Sequence, residues 1–148
     1  MDFCELTNMV MVQDPETGKV LVQKRIKKYC GIAFPGGHVE DGESIYASAV
    51  REIKEETGLD IRDLKACGYI HWNHANGDKY FTYFYKTTSF SGELVRETDE
   101  GPVFWVDPEE MQQMDLAPNM WRYLPMFSGK YMECYCREEN DDWNMIYL

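Results

Sequence analysis

The chain has 148 residues, of which 44% are hydrophobic and 14% aromatic, and its formal net charge at pH 7 is −11. This size and composition predict a single globular domain over residues 1–148, long enough to bury a core. The negative charge argues against a general nucleic-acid-binding protein, which needs a basic surface, although divalent cations could join an acidic protein to a small polyphosphate.

No stretch of the sequence predicts a membrane span or an export signal. The N-terminal MDFCELTNMVMV has no basic start, and no stretch approaches the roughly 20 apolar residues that a bilayer requires. The five cysteines are an odd number and include no CxxC pair, which favours reduced thiols in a cytosolic protein over a disulfide. We therefore expect a cytoplasmic protein without a membrane partner.

The first half of the chain predicts strands followed by one helix. Residues 6–12 (LTNMVMV) predict a strand, residues 14–19 (DPETGK) a turn, and residues 20–25 (VLVQKR) the returning strand of a hairpin. Residues 45–57 predict the clearest helix, because Ser44 can cap its start and apolar residues recur on one side. That apolar side is expected to pack on a sheet.

The second half of the chain predicts further strands and two short helices. Aromatic and β-branched residues predict strands over 66–74 and 80–87, and Asn76-Gly77 between them is a strong hairpin signal. The other predicted elements are a strand over 102–106, helices over 108–114 and 120–127, and a late strand over 131–136. Together these elements predict a mixed β-sheet with helices.

The stretch GGHVEDGESIYASAVREIKEETGL, residues 36–59, places three glutamates on the predicted helix. At about 100° per residue, Glu52, Glu55 and Glu56 fall within one arc of roughly 100°. Arg51 can pair with Glu55, four residues further on. Most glutamate-rich helices are solvated, but this stripe borders the apolar side and follows a glycine-rich turn. Such hard oxygen ligands suit Mg²⁺ or Mn²⁺, which would relieve the repulsion between them.

The spacing of these residues is that of the Nudix box, over residues 37–59. The matching positions are Gly37, Glu43, Arg51-Glu52, Glu55-Glu56 and Gly58-Leu59. A complete box is a far more specific signal than an isolated pair of glycines or glutamates. The chain therefore resembles the Nudix hydrolase family. The resemblance implies an α+β fold, an α/β/α sandwich with a mixed β-sheet, in which the box forms a loop–helix–loop.

The resemblance also implies an activity and roles for the acids of the box. Family members hydrolyse a nucleoside diphosphate linked to another moiety, with divalent ions that here would be Mg²⁺ or Mn²⁺. The metal ligands implied by position are the Gly36 carbonyl and the carboxylates of Glu52, Glu55 and Glu56. Glu52 is implied as a ligand or as the catalytic base, while Glu43 and Arg51 are expected to orient and lock the box.

Three stretches, of which the first overlaps the start of the box, resemble the MutT-type branch of the family. They are FPGGHVE at residues 34–40, FSGELVRETDEGPVFWV at residues 90–106 and LAPNM at residues 116–120. The resemblance implies an 8-oxo-dGTP diphosphatase, which releases a nucleoside monophosphate and pyrophosphate and so supports DNA repair by cleaning the nucleotide pool. The alternatives are the same chemistry on ADP-ribose, a dinucleoside polyphosphate or an ordinary nucleoside triphosphate, and a nucleotide-binding module without activity.

Residues outside the box are candidates for substrate contacts, each with a structural alternative. In the acidic loop after the hairpin, Glu100 is a candidate catalytic base or metal ligand, or a solvated charge. Asn119 could hydrogen-bond a purine edge or cap the following helix. Phe34 and Tyr83 could stack on a base or pack in the core, and Arg25 could reach the phosphates or stay a surface charge. The expected partner is a small nucleotide, with no stable nucleic-acid binding and with a homodimer left open.

Overall fold

Strands dominate the fold because β-branched and aromatic residues recur through most of the chain. The computed structural model describes residues 2–148. Its strands are β1 Cys4–Val12, β2 Val20–Arg25, β3 Gly31–Ala33, β4 Asp60–Arg62, β5 Lys65–Asn73, β6 Lys79–Thr87, β7 Ser89–Ser91, β8 Glu97–Thr98, β9 Gly101–Val106, β10 Glu133–Glu139 and β11 Asp142–Tyr147. Its helices are α1 Ile45–Thr57, α2 Pro108–Met111, α3 Met120–Tyr123 and a 3-10 helix at Leu124–Ser128. No helix in this described range is long and apolar enough to cross a membrane.

The central sheet has five strands in the order β1-β6-β5-β10-β11. Its pairs β1–β6 and β5–β10 are parallel, whereas β5–β6 and β10–β11 are antiparallel. A second sheet has the order β3-β2-β9-β8, and β4 pairs with β7. These pairings confirm the predicted α+β class with a mixed sheet, and they confirm the hairpin around Asn76-Gly77.

Helices lie on both faces of the central sheet near β1, which produces the expected α/β/α layers. On one face, Val10 and Val12 of β1 share a core with Ala49 and Ile53 of α1. On the other face, Met9 belongs to a second core that includes α3 and the 3-10 helix. Because successive residues of a strand point to opposite faces, β1 supports both cores at once.

Helix α1 begins and ends where its flanking residues predict. The Ser44 side chain accepts a hydrogen bond from the Ala47 amide at 3.0 Å, which satisfies a free donor of the first turn. At the other end, Gly58 has a φ of 82° and its amide donates to the Lys54 carbonyl at 3.0 Å. A β-carbon added at Gly58 would lie 2.6 Å from the carbonyl oxygen of Glu93, so the close approach also requires glycine.

The predicted hairpin between β1 and β2 is wrong. Its turn does form, since the Asp14 amide donates to the Lys19 carbonyl at 2.9 Å. The two arms share the bridge between Gln13 and Val20, but β1 then runs beside β6 while β2 lies between β3 and β9. The first four residues of β2 are all buried, so this strand needs hydrogen-bonding neighbours on both edges and becomes an interior strand of the second sheet.

Several later elements differ in length from their predictions. The helix predicted over 108–114 ends at Met111. The helix predicted over 120–127 divides into α3 and the 3-10 helix, because Pro125 has no amide hydrogen to continue the α-helical ladder. The late strand begins at Glu133, and the short or polar strands β4, β7, β8 and β11 are not predicted.

Two glycine variants separate backbone strain from close packing at the end of α1. Gly18 also has a positive φ, of 76°, but a β-carbon there would meet no atom within 4 Å. We expect Gly18→Ala to lower the free energy of unfolding by about 1–2 kcal/mol, and Gly58→Ala to lower it by about 1–3 kcal/mol more. Urea denaturation of both variants measures the difference, and equal losses would contradict the steric explanation.

Candidate active site

An open cleft of about 620 Å³ crosses the central sheet. Near β1 it is lined by Gly36 and Gly37 of the loop between β3 and α1, and it reaches Trp143 of β11. Because β1 and β11 are the two outer strands of a five-stranded sheet, these linings lie four strand spacings apart, roughly 19 Å. The cleft is therefore long enough for an extended ligand.

Asn8 fixes the glycine loop against β1. Its backbone N–H donates to the Gly37 carbonyl at 2.8 Å, and the Gly37 backbone N–H donates to its side-chain Oδ1 at 3.3 Å. Its Nδ2 donates to the Ser48 hydroxyl of α1 at 2.9 Å. The side chain is 3% exposed, so each polar atom is paired inside the protein as burial requires. One asparagine thus joins strand, loop and helix.

The two loop glycines allow the backbone to approach its neighbours very closely. A β-carbon at Gly36 would collide with the backbone of Asn8, and one at Gly37 would collide with the carboxylate of Glu52. Any side chain at either position would push the loop away from β1 or from α1. The glycines therefore set the distance between the loop backbone and the acids of the helix.

Arg51 connects most of the acids of the box. Its Nη2 donates to Glu43 Oε1 at 2.6 Å and to the His38 carbonyl at 3.0 Å. Its Nη1 donates to Glu52 at 3.0 Å and to Glu55, four residues on, at 3.2 Å. The bond from Arg51 lowers the pKa of Glu43, and the pKa of Arg51 is raised, first by Glu43. These contacts tie the loop before the helix to the acidic face of α1.

Glu56 lacks such a cationic partner. Its Oε2 accepts a hydrogen bond from the Gly36 amide at 3.1 Å. Burial, followed by repulsion from Glu52 and from Glu100, raises the pKa of Glu56 to about 8, against the opposing effects of the Gly36 hydrogen bond and the charge of Arg25. Burial also raises the pKa of Glu52, against the opposing effect of Arg51. Negative charge at these two carboxylates is therefore disfavoured until a cation balances it.

The donors around Glu56 suit a hard divalent cation. The site offers the carboxylates of Glu52, Glu55 and Glu56 and the backbone of Gly36, all of them oxygen donors of the kind that Mg²⁺ and Mn²⁺ prefer. Among residues 2–148, no three acidic, histidine or cysteine side chains already surround a common point. Arg51 holds oxygens of Glu52 and Glu55, so an arriving ion would have to draw these carboxylates together.

Three of the predicted substrate-contacting residues line the cleft, namely Arg25, Phe34 and Asn119. Phe34 is 3% exposed and packs edge-to-face on Phe127 with ring centroids 4.9 Å apart, so it is both a core residue and part of the cleft wall. The Arg25 Nε donates to the Lys28 carbonyl at 3.2 Å, which holds its charge at the rim. These three residues come together from β2, the loop after β3 and the start of α3.

The other two predicted residues lie elsewhere. Thr82 of β6 lines the cleft, so Tyr83 points to the opposite face of the sheet, where its ring centroid is 5.5 Å from that of Tyr69. Glu100 is exposed in the loop before β9, but its charge contributes to the raised pKa of Glu56. The structure thus brings Glu100 within electrostatic reach of the box and separates Tyr83 from the cleft.

Four further rings line the cleft and are not identified from the sequence. They are Trp72, His74, Tyr80 and Trp143. The ring centroid of His74 is 4.8 Å from that of Tyr80 and 5.0 Å from that of Trp143, which is 4.9 Å from Trp72. The spacing of Ile70 and Trp72 along β5, continued to His74 just after the strand, could have placed them on one face. Trp143 gives no such signal, because its position depends on the pairing of β11 with β10.

Comparisons with known proteins agree with this geometry. A family model described as NUDIX domain matches residues 6–127. The chain is 32% identical over 117 residues to the uncharacterized Nudix hydrolase YvcI of Bacillus subtilis, which covers 76% of this chain and 72% of YvcI. It is 24% identical over 137 residues to the oxidized purine nucleoside triphosphate hydrolase of Mus musculus, which covers 90% of this chain and 86% of that protein.

Solved structures share the fold at low sequence identity. The MutT protein from Bacillus halodurans superposes with a TM-score of 0.77 at 21% identity, covering 95% of this chain and 97% of that chain. The NUDIX domain of Shewanella oneidensis NrtR, solved with ADP ribose, superposes with a TM-score of 0.67 at 16% identity, covering 86% of this chain and 87% of that domain. These likenesses concern the arrangement of helices and strands.

The raised pKa of Glu56 predicts a pH dependence of stability in the metal-free protein. The folded protein holds a proton at Glu56 up to about pH 8, whereas the unfolded chain releases it near the ordinary value of 4.5. The free energy of unfolding should therefore fall as the pH rises from 4.5 to about 8, by at most about 1.4 kcal/mol per pH unit. Urea denaturation in EDTA across this range measures the slope.

Glu56→Gln should remove this contribution, because glutamine does not titrate. The matched control is Glu109→Gln on α2, where the side chain is exposed and should keep the slope of the parent. A slope in Glu56→Gln equal to that of the parent would contradict the assignment to Glu56.

Proposed function

Because the chain belongs to the Nudix hydrolase family, we propose that it is a MutT-type nucleoside triphosphate diphosphatase that depends on a divalent metal ion. Family members act on phosphorus-containing anhydrides. The proposed reaction converts 8-oxo-dGTP or a related nucleoside triphosphate into the nucleoside monophosphate and pyrophosphate. Its role would be to remove oxidised nucleotides before they are incorporated into DNA.

The observation that carries this proposal is the division of the cleft into an acidic end and an aromatic end. At the acidic end, Gly36 lies beside the half-buried carboxylate of Glu56, where a cation could bring phosphates to an acidic protein. Across the sheet, Trp72 and Trp143 present rings that suit a planar base. A nucleotide combines the same two parts, a polyanion and a flat ring.

When bound, Mg²⁺ or Mn²⁺ would supply neutralisation of the phosphate charge and a lowered pKa for an attacking water. Glu52, Glu55, Glu56 and the Gly36 carbonyl are the residues that would hold it. Arg51 keeps Glu52 oriented through its bond of 3.0 Å, and Glu43 anchors Arg51 in turn. The remaining task of the protein is to accept the proton of the water.

Glu52 and Glu100 are the two candidates for this general base. Glu52 accepts a hydrogen bond from Arg51 and is also a proposed metal ligand, and both interactions oppose the rise in its pKa that burial causes. Glu100 is exposed and lies close enough to Glu56 to influence its pKa. We therefore assign proton acceptance to Glu100 and orientation of the ion to Glu52.

The names of two similar proteins suggest the substrate class. The relative from Mus musculus, at 24% identity, is named for hydrolysis of oxidized purine nucleoside triphosphates. ADP-ribose is the second candidate, because the NrtR domain that shares the fold was solved with ADP ribose. A dinucleoside polyphosphate is a further alternative. A non-catalytic nucleotide-binding module is disfavoured, because Glu52, Glu55 and Glu56 are all present.

The proposed setting is the cytoplasm, with a small nucleotide as the partner. Every cysteine in the described chain is a free thiol, and three of them are buried. Thiols in this state are typical of a reducing compartment, where nucleotide pools are also found.

A hydrolysis panel tests the proposed reaction. The protein is incubated with Mg²⁺ and, in turn, 8-oxo-dGTP, dGTP, the other nucleoside triphosphates, ADP-ribose and a dinucleoside tetraphosphate. We expect the highest kcat/KM for 8-oxo-dGTP, with pyrophosphate as a product and no turnover in excess EDTA. A preference for ADP-ribose would change the substrate and retain the chemistry, whereas no turnover of any compound would overturn the proposed activity.

Glu100→Gln tests the assignment of the general base. We expect it to lower kcat by about 10²–10⁴-fold, because glutamine cannot accept the proton. Glu97→Gln is the matched control, since Glu97 is an exposed acid of the same loop region. Parent-like kcat and pH profile in Glu100→Gln would assign the role to Glu52 instead.

A further inference from the structure

The face of the central sheet opposite the cleft, here called the outer face, is covered by α1 on one side only. There Val10 and Val12 of β1 are buried against α1, and Tyr85 at the end of β6 is partly buried in the same core. Among residues 2–148, that core takes no side chain from β5, β10 or β11, whose core residues all belong to the cleft side. The outer face of these three strands is therefore left uncovered by α1.

Four side chains form a row across this uncovered part, here called the apolar row. The strand register places Phe81 beside His71, His71 beside Tyr135, and Tyr135 beside Ile146. The ring of His71 stacks on that of Phe81 with centroids 4.5 Å apart and lies 5.3 Å from that of Tyr135. At the edge of the sheet, Ile146 is 52% exposed. An extended apolar surface of this kind is typical of a site that binds another molecule.

Charges of opposite sign flank the apolar row on β10. Glu133 lies two positions before Tyr135 and Arg137 two positions after it, so all three side chains share the outer face. Each charged residue is about 7 Å from Tyr135 along the strand. Within residues 2–148, Glu133 forms no ion pair, and Arg137 pairs only with Glu139 at 3.0 Å, where the two side chains are 59% and 44% exposed. Both charges are therefore available to another molecule.

We propose that the outer face binds a second copy of the chain, with the two sheets face to face about a twofold axis that runs along the apolar row. This axis brings Tyr135 of both copies to the centre and directs Arg137 of each copy to Glu133 of the other. A twofold interface needs a surface that is complementary to itself, and the order Glu133, Tyr135, Arg137 has this property. Sheets packed in this way lie about 10 Å apart, a gap that these long side chains can fill.

A second copy fits the charges of the outer face better than nucleic acid does. Single-stranded nucleic acid also stacks on aromatic sheet faces, but it requires a positive surface. Here the net charge is −11, and Glu133 lies within the surface itself. A second acidic chain meets the same overall repulsion, but the two symmetry-related pairs of Arg137 with Glu133 supply local attraction across the interface.

Sedimentation velocity tests the association directly. Over about a hundredfold range of protein concentration, we expect the mass of the parent to rise from 17.4 kDa toward twice that value, as mass action requires. Glu133→Arg would place arginines opposite each other, and Arg137→Glu would place carboxylates opposite each other. Each change should raise the dissociation constant of the dimer by at least about tenfold.

The double variant Glu133→Arg/Arg137→Glu exchanges the two charges and restores their complementarity. Its dissociation constant should return to within about threefold of the parental value, because the two changes are coupled through one contact. Glu109→Arg, on an exposed position of α2, is the matched control. It changes the net charge just as Glu133→Arg does, from −11 by +2 to −9. A general repulsion between acidic chains would strengthen association in both variants, whereas the proposed pairing predicts weaker association in Glu133→Arg alone.

A parent that stays monomeric over the whole concentration range would overturn the proposal. So would a dimer whose dissociation constant is unchanged in Arg137→Glu, or a double variant that dissociates as readily as the single ones. If Glu133→Arg fails to fold, Arg137→Glu still decides, because Arg137 is exposed. Hydrolysis per chain should be parental in all these variants, since the outer face lies across the sheet from the cleft. Loss of the proposed diphosphatase activity would therefore leave the dimer standing, and the reverse also holds.

Discussion

The cost of placing a negative charge at Glu56 is the constraint on which the site depends. The Glu56 carboxylate is half-buried beside a second acid, and within the described chain its only hydrogen bond comes from the Gly36 amide. Arg51 pairs with Glu43, Glu52 and Glu55 but makes no such pair with Glu56. The protein therefore keeps a site that is electrostatically incomplete without a cation, which is the state in which polyphosphates can be recruited to a chain of net charge −11.

β1 connects the site around Glu56 to the rest of the fold. It carries both cores on its two faces, and through Asn8 it also holds the glycine loop and the start of α1. A displacement of β1 would therefore move the loop backbone and the acids of the helix together. The aromatic end of the cleft is built on other strands, so its rings could be substituted without disturbing the acidic end.

The box could be predicted from the sequence because its signals are local. Ser44 and Gly58 bound α1, and the residues between them form a complete pattern. The pairing of the strands could not be predicted, because the partner of β1 is distant in sequence and the turn after β1 favours a hairpin. Tyr83 shows that an error of one residue along a strand is enough to place a side chain on the wrong face. Its neighbour Thr82 faces the cleft, and successive residues of a strand face opposite sides of the sheet. Trp143 lies on a polar strand that only the folded sheet positions.

During folding, the cleft can form only after the parallel strand pairs of the central sheet have formed. Cys4 lies opposite Lys79, and Tyr69 lies opposite Glu133, so each pair closes a long loop of chain. Such contacts carry a large entropic cost and slow folding relative to local hairpins and helices. The cleft crosses both pairs and cannot be complete while either is open. Turnover by this protein would thus report that the whole central sheet has assembled, which a spectroscopic signal from α1 alone would not do.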